Sequence, residues 1–406
     1  MLMRIIKKRR RARVFSLVAL ILVAGGYVAW TMLKPLPGLQ PNQAVSVMSL
    51  KTGPSQLAWP AGSQAAVGVL GTNILETSGA QTPVATASTA KVITALVVLD
   101  KKPLNINQAG PNLTMTADDV ARYSNYLAQN GSVVPVQAGE KLSQYQALQA
   151  VLLPSSNNLA DSLAIWAYGS LPAYTAAANQ YLKQHGLNST TVGSDASGLA
   201  PDSTSTANDL VKLGKLAMIN PVIAEIAGQK TAGNFPLGTT TGTIKNVNYL
   251  LGTDGIIGIK TGNSDHVGGA FIGAANTSVN GQTKTIVSAV TNAPSLVIAM
   301  QQSKALLKSA QTNFKPVQVT KKDTVIGKYY LPWGGTVSAV ASHDLSVQAW
   351  QGSSLQTTSK LSKIESKASA GQAVGKLNAE NASVTIKLKT APTQPSIWWR
   401  LAHPLN

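Results

Sequence analysis

Ser88 and Lys91 stand three residues apart in A-T-A-S-T-A-K-V-I-T-A-L, residues 85–96. Residues at that spacing share one face of a helix, so a hydroxyl and an amine can meet there. The apolar run of Val92, Ile93, Leu96, Val97 and Leu99 sends the same helix into a core. An amine buried with it loses hydration, which favours the neutral form and makes it a base. A serine at a helix start also has free backbone N–H groups and the positive end of the dipole beside it. Hydroxyl, neutral amine and oxyanion donors are what nucleophilic attack on a carbonyl requires. Taken alone, the pair favours the plainer reading of a surface lysine that follows a serine, because both residues are common.

Two further polar clusters follow. L-L-P-S-S-N-N-L-A-D, residues 152–161, holds S-x-N in two frames, Ser155/Asn157 and Ser156/Asn158. Pro154 marks a loop end before a helix, so a plain helix cap is the bland alternative. K-T-G occurs at Lys51-Thr52-Gly53, in a proline-rich stretch where it reads as chance, and at Lys260-Thr261-Gly262, at the end of an apolar strand. A cation, a hydroxyl and a residue without a side chain on one strand make a cradle for a carboxylate. Lys260 is also a second cation able to depress Lys91.

The elements that must position these groups are legible. Residues 65–77 read as strand, turn and strand, the Ser88 helix follows, and residues 117–216 are mostly helical. Segments 255–261, 268–275 and 285–291 read as strands, the last two joined by an Asn280-Gly281 hairpin turn. Residues 294–310 form an amphipathic helix with Pro294 in its first turn. Strands at both ends and helices between predict an α+β fold, an antiparallel sheet flanked by helices with a helical subdomain. Short alternating runs over 316–390 predict a small all-β C-terminal domain, and 391–406 form a tail carrying Trp398 and Trp399.

At the other end, Arg4, Lys7, Lys8, Arg9, Arg10, Arg11 and Arg13 precede residues 14–33, twenty residues without a charge. That length spans about 30 Å of hydrocarbon as a helix. The basic flank orients such a span with its start in the cytoplasm and the body outside. A cleaved signal peptide is the rival reading; Gly25-Gly26 favours it and the lack of an A-x-A site opposes it. Residues 34–60, with Pro35, Pro37, Pro41, Pro54 and Pro60, read as a stiff extended spacer, leaving 61–315 as the main domain.

The totals narrow the function. Net charge is +18, but its basic cluster is terminal and no aromatic–basic stripe accompanies it, so nucleic acid is not the expected partner. A mildly basic body suits an anionic envelope. Absence of cysteine removes disulfides and thiolate chemistry. His185, His266, His343 and His403 lack paired metal spacing, and neither a phosphate loop nor a G-x-S-x-G elbow appears, so no metal or cofactor is expected. His266 reads as a solvent-facing strand residue, with a place at the site edge as the alternative.

Ser88-Thr89-Ala90-Lys91, Ser155-Ser156-Asn157 and Lys260-Thr261-Gly262, in this order and at these separations, resemble the serine penicillin-binding proteins and β-lactamases. G-E-K-L-S at 139–143, Ser197-Gly198-Leu199, D-G-I-I-G-I-K-T-G at 254–262 and the β-rich C-terminus more closely resemble the low-molecular-mass D-alanyl-D-alanine carboxypeptidases, over residues 61–390. The resemblance implies a DD-peptidase fold and an acyl-enzyme on Ser88, with Lys91 as base, Ser155 as proton relay and Asn157 holding the substrate amide. Lys260 and Thr261, with Gly262, would bind the terminal carboxylate; the backbone N–H groups of Ser88 and Asn263 would form the oxyanion hole. It implies peptidoglycan stem peptides as substrates, β-lactams as covalent inhibitors, and the Ser155/Asn157 frame, in which Leu163-Ala164 falls where the family has a similar pair. Asn158 departs from the family's usual aspartate.

DD-endopeptidase and transpeptidase activities use the same acyl-enzyme and remain open alternatives. A class A β-lactamase needs a glutamate between the second and third motifs. Residues 155–202 contain none; their carboxylates are Asp161, Asp195 and Asp202. A catalytically silent wall-binding protein is the alternative of another class, opposed by the intact motif residues.

Overall fold

The computed structural model describes residues 2–264 and 268–404. The chain forms two compact units, residues 55–314 and residues 1–54 together with 315–406.

In the unit built from both chain ends, helix α1 (Leu2–Leu33) is, among the described residues, the one helix long and apolar enough to cross a membrane. Its last carbonyls are taken by Arg400, whose guanidinium donates to the oxygens of Met32 (2.9 Å), Lys34 (3.3 Å) and Thr31 (3.4 Å). The final carbonyls of a helix have no partner within it, so a cation placed there satisfies them and the dipole together. Arg400 lies on the short helix Ile397–Ala402. Trp399 there meets Trp333 edge-on, ring centres 5.5 Å apart, whereas Trp398 is 80 % exposed. The two tail tryptophans therefore do different things.

The spacer reading is corrected for this unit. Val45–Lys51 forms strand β1, paired antiparallel with Ser354–Leu361, and Leu39 is 1 % exposed in the β core. The prolines flank V-S-V-M-S-L-K and do not interrupt it, so it can hydrogen-bond as an edge strand. The sheet runs β1, Ser354–Leu361, Ala373–Ala379, Ala382–Leu388, Thr336–Ala341, Val325–Tyr330. The expected 316–390 domain thus lacks a strand that the N-terminal segment supplies.

The larger unit is built on a five-stranded antiparallel sheet. Its strands are β2 (Gln64–Val69), β3 (Leu75–Ser78), β4 (Ile256–Ser264), β5 (Gly268–Val279) and β6 (Gln282–Ala293), in the order β4-β5-β6-β2-β3. Asn280 and Gly281, both at positive φ (53° and 74°), make the β5–β6 turn, as their types predict. Among the described residues, eight helices accompany the sheet: α2 (Lys91–Lys101), α3 (Ala117–Ala128), α4 (Gln144–Leu152), α5 (Asn157–Tyr168), α6 (Leu171–Gln184), α7 (Ala207–Ile219), α8 (Pro221–Ala227) and α9 (Leu296–Gln311). Capping side chains set several starts: Thr116 for α3, Ser143 for α4, Ser156 for α5, Thr206 for α7 and Ser295 for α9. Gly214 brings α7 close to Ile259, Ile272 and Val287 on one sheet face. Ser303 of α9 bonds Ser288 on the other face at 2.7 Å. Helix α2 is buried from Lys91 through Leu99, which accounts for its lack of a polar face.

Candidate active site

Ser88 is half-buried in a single 3₁₀ turn, Ala87–Ala90, that runs directly into α2. Ala87 has φ +46°, a left-handed value that costs an L-residue energy and is retained where surrounding structure imposes it. Two glycines let other segments approach this turn closely. Gly198 lies at φ +73°, and a Cβ there would collide with the Ala87 carbonyl and the Ala90 side chain. Gly262 lies on β4, and its Cβ would sit 3.1 Å from the Thr86 oxygen and the Thr89 methyl. A loop and a strand thereby close on the serine turn from separate parts of the sequence.

Lys91 is wholly buried, and its Nζ donates to Ser88 Oγ (2.8 Å), Asn157 Oδ1 (2.6 Å) and the Ser197 carbonyl (2.9 Å). All three acceptors are neutral. Burial pushes the amine down to about 7 from its ordinary 10.5, against the pull of the Asp195 and Asp161 charges. Burial, rather than the second lysine expected from the sequence, accounts for that drop. Lys260 is 1 % exposed and also lies well below its ordinary value, through burial first and the Lys91 charge second. Among the described residues its Nζ reaches only its neighbour's groups, Thr261 O (3.1 Å) and Oγ1 (3.4 Å), and no carboxylate there pairs with it. A buried cation of this kind suits an incoming anion.

The two S-x-N frames separate by geometry. Asn157 opens α5 and meets Lys91. Asn158 turns away, bonding the Val134 N–H (3.1 Å) and carbonyl (2.9 Å), while Ser156 donates to Asn158 Oδ1 at 2.7 Å. The second frame is thus a cap and loop clamp. Ser155 has φ +66°, and its buried Oγ has no hydrogen-bond partner among the described residues. A strained residue carrying an unsatisfied hydroxyl is an expensive arrangement for structure alone.

Asn263, next on β4 after Gly262, lines a cavity of about 660 Å³ with Tyr126, Asp161, Asp195, Leu199 and Arg122. His266 lies outside the described residues. The first K-T-G copy, Lys51 to Gly53, belongs to the other unit.

Sequence reasoning missed the carboxylates around the base. Asp195 Oδ1 accepts from the N–H groups of Ser197 (2.7 Å) and Gly198 (2.5 Å), and Oδ2 from Ala200 (2.7 Å). Asp161 Oδ1 accepts from Ala196 N (2.8 Å) and its Oδ2 from the Tyr126 hydroxyl (2.6 Å). Burial raises Asp161 to about 6. Asp202 accepts from Ser194 N at 2.9 Å. Within residues 155–202, Asp161, Asp195 and Asp202 each accept from a backbone N–H, and Asp161 from the Tyr126 hydroxyl as well, so none of these three is placed as the water-activating group of a class A β-lactamase. The usable signal for Asp161 is its spacing, one helical turn after Asn157.

Known proteins resemble this chain over the same residues. The family model described as D-alanyl-D-alanine carboxypeptidase matches residues 50–295. The D-alanyl-D-alanine carboxypeptidase DacB2 of Mycobacterium tuberculosis is 34 % identical over 192 residues, 47 % of this chain and 61 % of that protein. The chain therefore spans less than two thirds of that relative's length. The crystal structure of the Streptomyces K15 DD-transpeptidase superposes with a TM-score of 0.54 at 25 % identity, covering 64 % of this chain and 98 % of that one. Penicillin binding protein 5 from Haemophilus influenzae superposes at 0.56 and 20 % identity, covering 83 % of this chain and 98 % of that one. The α+β fold expected from the sequence is the fold these structures share, and the wider coverage of the Haemophilus influenzae protein extends beyond the larger unit.

Proposed function

From membership of the D-alanyl-D-alanine carboxypeptidase family, to which this chain belongs, we propose that it is a serine-type carboxypeptidase removing the terminal D-alanine from peptidoglycan stem peptides. The observation that carries the reading is the Lys91 Nζ contact to Ser88 Oγ at 2.8 Å, with Asn157 Oδ1 at 2.6 Å. Neutral Lys91 takes the hydroxyl proton as Ser88 Oγ bonds the scissile carbonyl carbon. The backbone N–H groups of Ser88 and Asn263 hold the oxyanion. The C–N bond breaks as the proton passes from Lys91 through Ser155 to the departing D-alanine amine. Water, deprotonated by the same lysine, then releases the acyl group. Asn157 holds the substrate amide, and Lys260 and Thr261, beside Gly262, bind the terminal carboxylate. β-Lactams carry an equivalent carbonyl and carboxylate and acylate Ser88 without prompt release. In this reading α1 is a single-pass anchor over residues 14–33 with the larger unit outside the cytoplasmic membrane.

The test uses the detergent-solubilised full chain, a fluorescent penicillin with mass-spectrometric mapping, and a D-alanine release assay. An adduct on Ser88 with D-alanine release is the expected result. An adduct without release replaces carboxypeptidase by transpeptidase or endopeptidase activity. Absence of any adduct overturns the acyl-enzyme reading and leaves a wall-binding protein.

A further inference from the structure

Lys91 is a buried amine, a cation only when protonated, and its direct partners are all neutral. What balances its charge and aims its acceptors is therefore a separate question. We propose that Asp161 is a positioning residue of the reaction: it fixes the loop whose Ser197 carbonyl holds Lys91, and its charge sets how readily that amine keeps a proton. The inference rests on the roles of Ser88 and Lys91 proposed above.

The geometry is specific. Asp161 follows Asn157 by one turn of α5, so both face the serine turn. It is 4 % exposed. Its two oxygens hold Ala196 N and Tyr126 Oη. The Ala196 carbonyl in turn accepts from Thr94 of α2 at 2.6 Å, and the next carbonyl, Ser197, accepts from Lys91. The peptide that presents an acceptor to the base is thus pinned from α5 on one side and from α2 on the other. Asp195, the other carboxylate that acts on Lys91, is committed to the N–H groups of its own loop. Asp161 lines the same cavity as Asp195 but reaches across to the loop from α5.

The ionisable groups around Asp161 come from every neighbouring element. They are Tyr126 from α3, Asp195 from the loop, Lys91 from the start of α2 and Tyr174 from α6, while the Lys91 charge acts in turn on Lys260 of β4. Arg122 and Asp119 of α3 are paired with each other at 2.8 Å. Burial and the adjacent carboxylates push the Tyr126 hydroxyl up, so it stays a donor across the working pH range. A plainly structural aspartate would hold the loop equally well but would not set the pH dependence, which provides the discriminating readout.

The second-order rate of Ser88 acylation by a fluorescent penicillin, on the full chain from pH 5 to 9, is compared for wild type, Asp161→Asn and Tyr126→Phe. Asparagine keeps the shape and an acceptor for Ala196 while removing the charge. Loss of a carboxylate that acts on Lys91 favours the neutral amine, so the acid limb of the profile moves to lower pH, most clearly above pH 6, where Asp161 of the wild type is charged. Tyr126→Phe removes one donor from the Asp161 carboxylate, weakens its charge, and moves the limb the same way by less. This second variant serves if Asp161→Asn does not fold. A limb that stays in place in the folded variants, or that moves upward, overturns the inference, whatever happens to the plateau rate. A wild-type chain that fails to acylate overturns the proposed function itself.

Discussion

Replacing Lys91 by methionine separates what the lysine does for chemistry from what it does to stability. The side chain keeps an unbranched stem out to Cε and loses the amine. A drop from 10.5 to about 7 corresponds to about 5 kcal/mol by which burial disfavours the charged form. Below pH 7 both folded and unfolded chains carry the proton, and the native state bears the whole penalty. Between 7 and 10.5 the unfolded chain binds a proton that the native chain releases, so native stability rises with pH. The methionine variant lacks this dependence. It also leaves Asn157 Oδ1 and the Ser197 carbonyl without their donor, at about 1–3 kcal/mol each. The two effects nearly cancel at neutral pH, so the variant is expected within a few kcal/mol of wild type there. Wild type should then gain ~2 kcal/mol on the variant between pH 7 and 9. Native-state hydrogen exchange at α2 amides measures this within the larger unit alone. Penicillin acylation of the same variant should fall by about 10²–10⁴. A variant that acylates at the wild-type rate refutes Lys91 as base. Stability curves that run parallel in pH refute burial as the cause of its lowered pKa.

Other outcomes follow from the same geometry. Wild-type acylation should rise about tenfold per pH unit below 7 and level off above it, because neutral Lys91 is the active form; a flat stopped-flow profile from pH 5 to 7 contradicts this. Gly198→Ala places a Cβ at φ +73° against the Ala87 carbonyl, so we expect a loss of roughly 2 kcal/mol or more in thermal unfolding and slower acylation. Asp195→Ala leaves the N–H groups of Ser197, Gly198 and Ala200 without their acceptor. About 1–3 kcal/mol per buried group predicts a clear fall in melting temperature, which Asp195→Asn should partly restore.

Much of this protein is legible in local sequence because local physics specifies it. The apolar 14–33 run makes α1, Asn280-Gly281 makes a hairpin turn, Pro294 and Ser295 open α9, and alternation marks the β-rich C-terminus. Ser88 and Lys91 pair on the strength of their spacing alone, because one helical turn brings them together. Other relations depend on contacts between distant segments, for which a single chain carries no local signal. The 34–60 segment reads as a spacer because proline sets stiffness locally. Its Val45–Lys51 run has a strand partner some 300 residues on, at Ser354–Leu361. Asn157 and Asn158 are identical in type and adjacent. Only the direction in which α5 begins sends one to Lys91 and the other to Val134. In the sequence, Asp161 and Asp195 are merely carboxylates that are not glutamate. Folding brings them around a buried amine, where burial lowers its pKa against the pull of both charges. A sequence shows that a lysine sits among apolar neighbours; how much water and which charges remain around it is decided by tertiary packing.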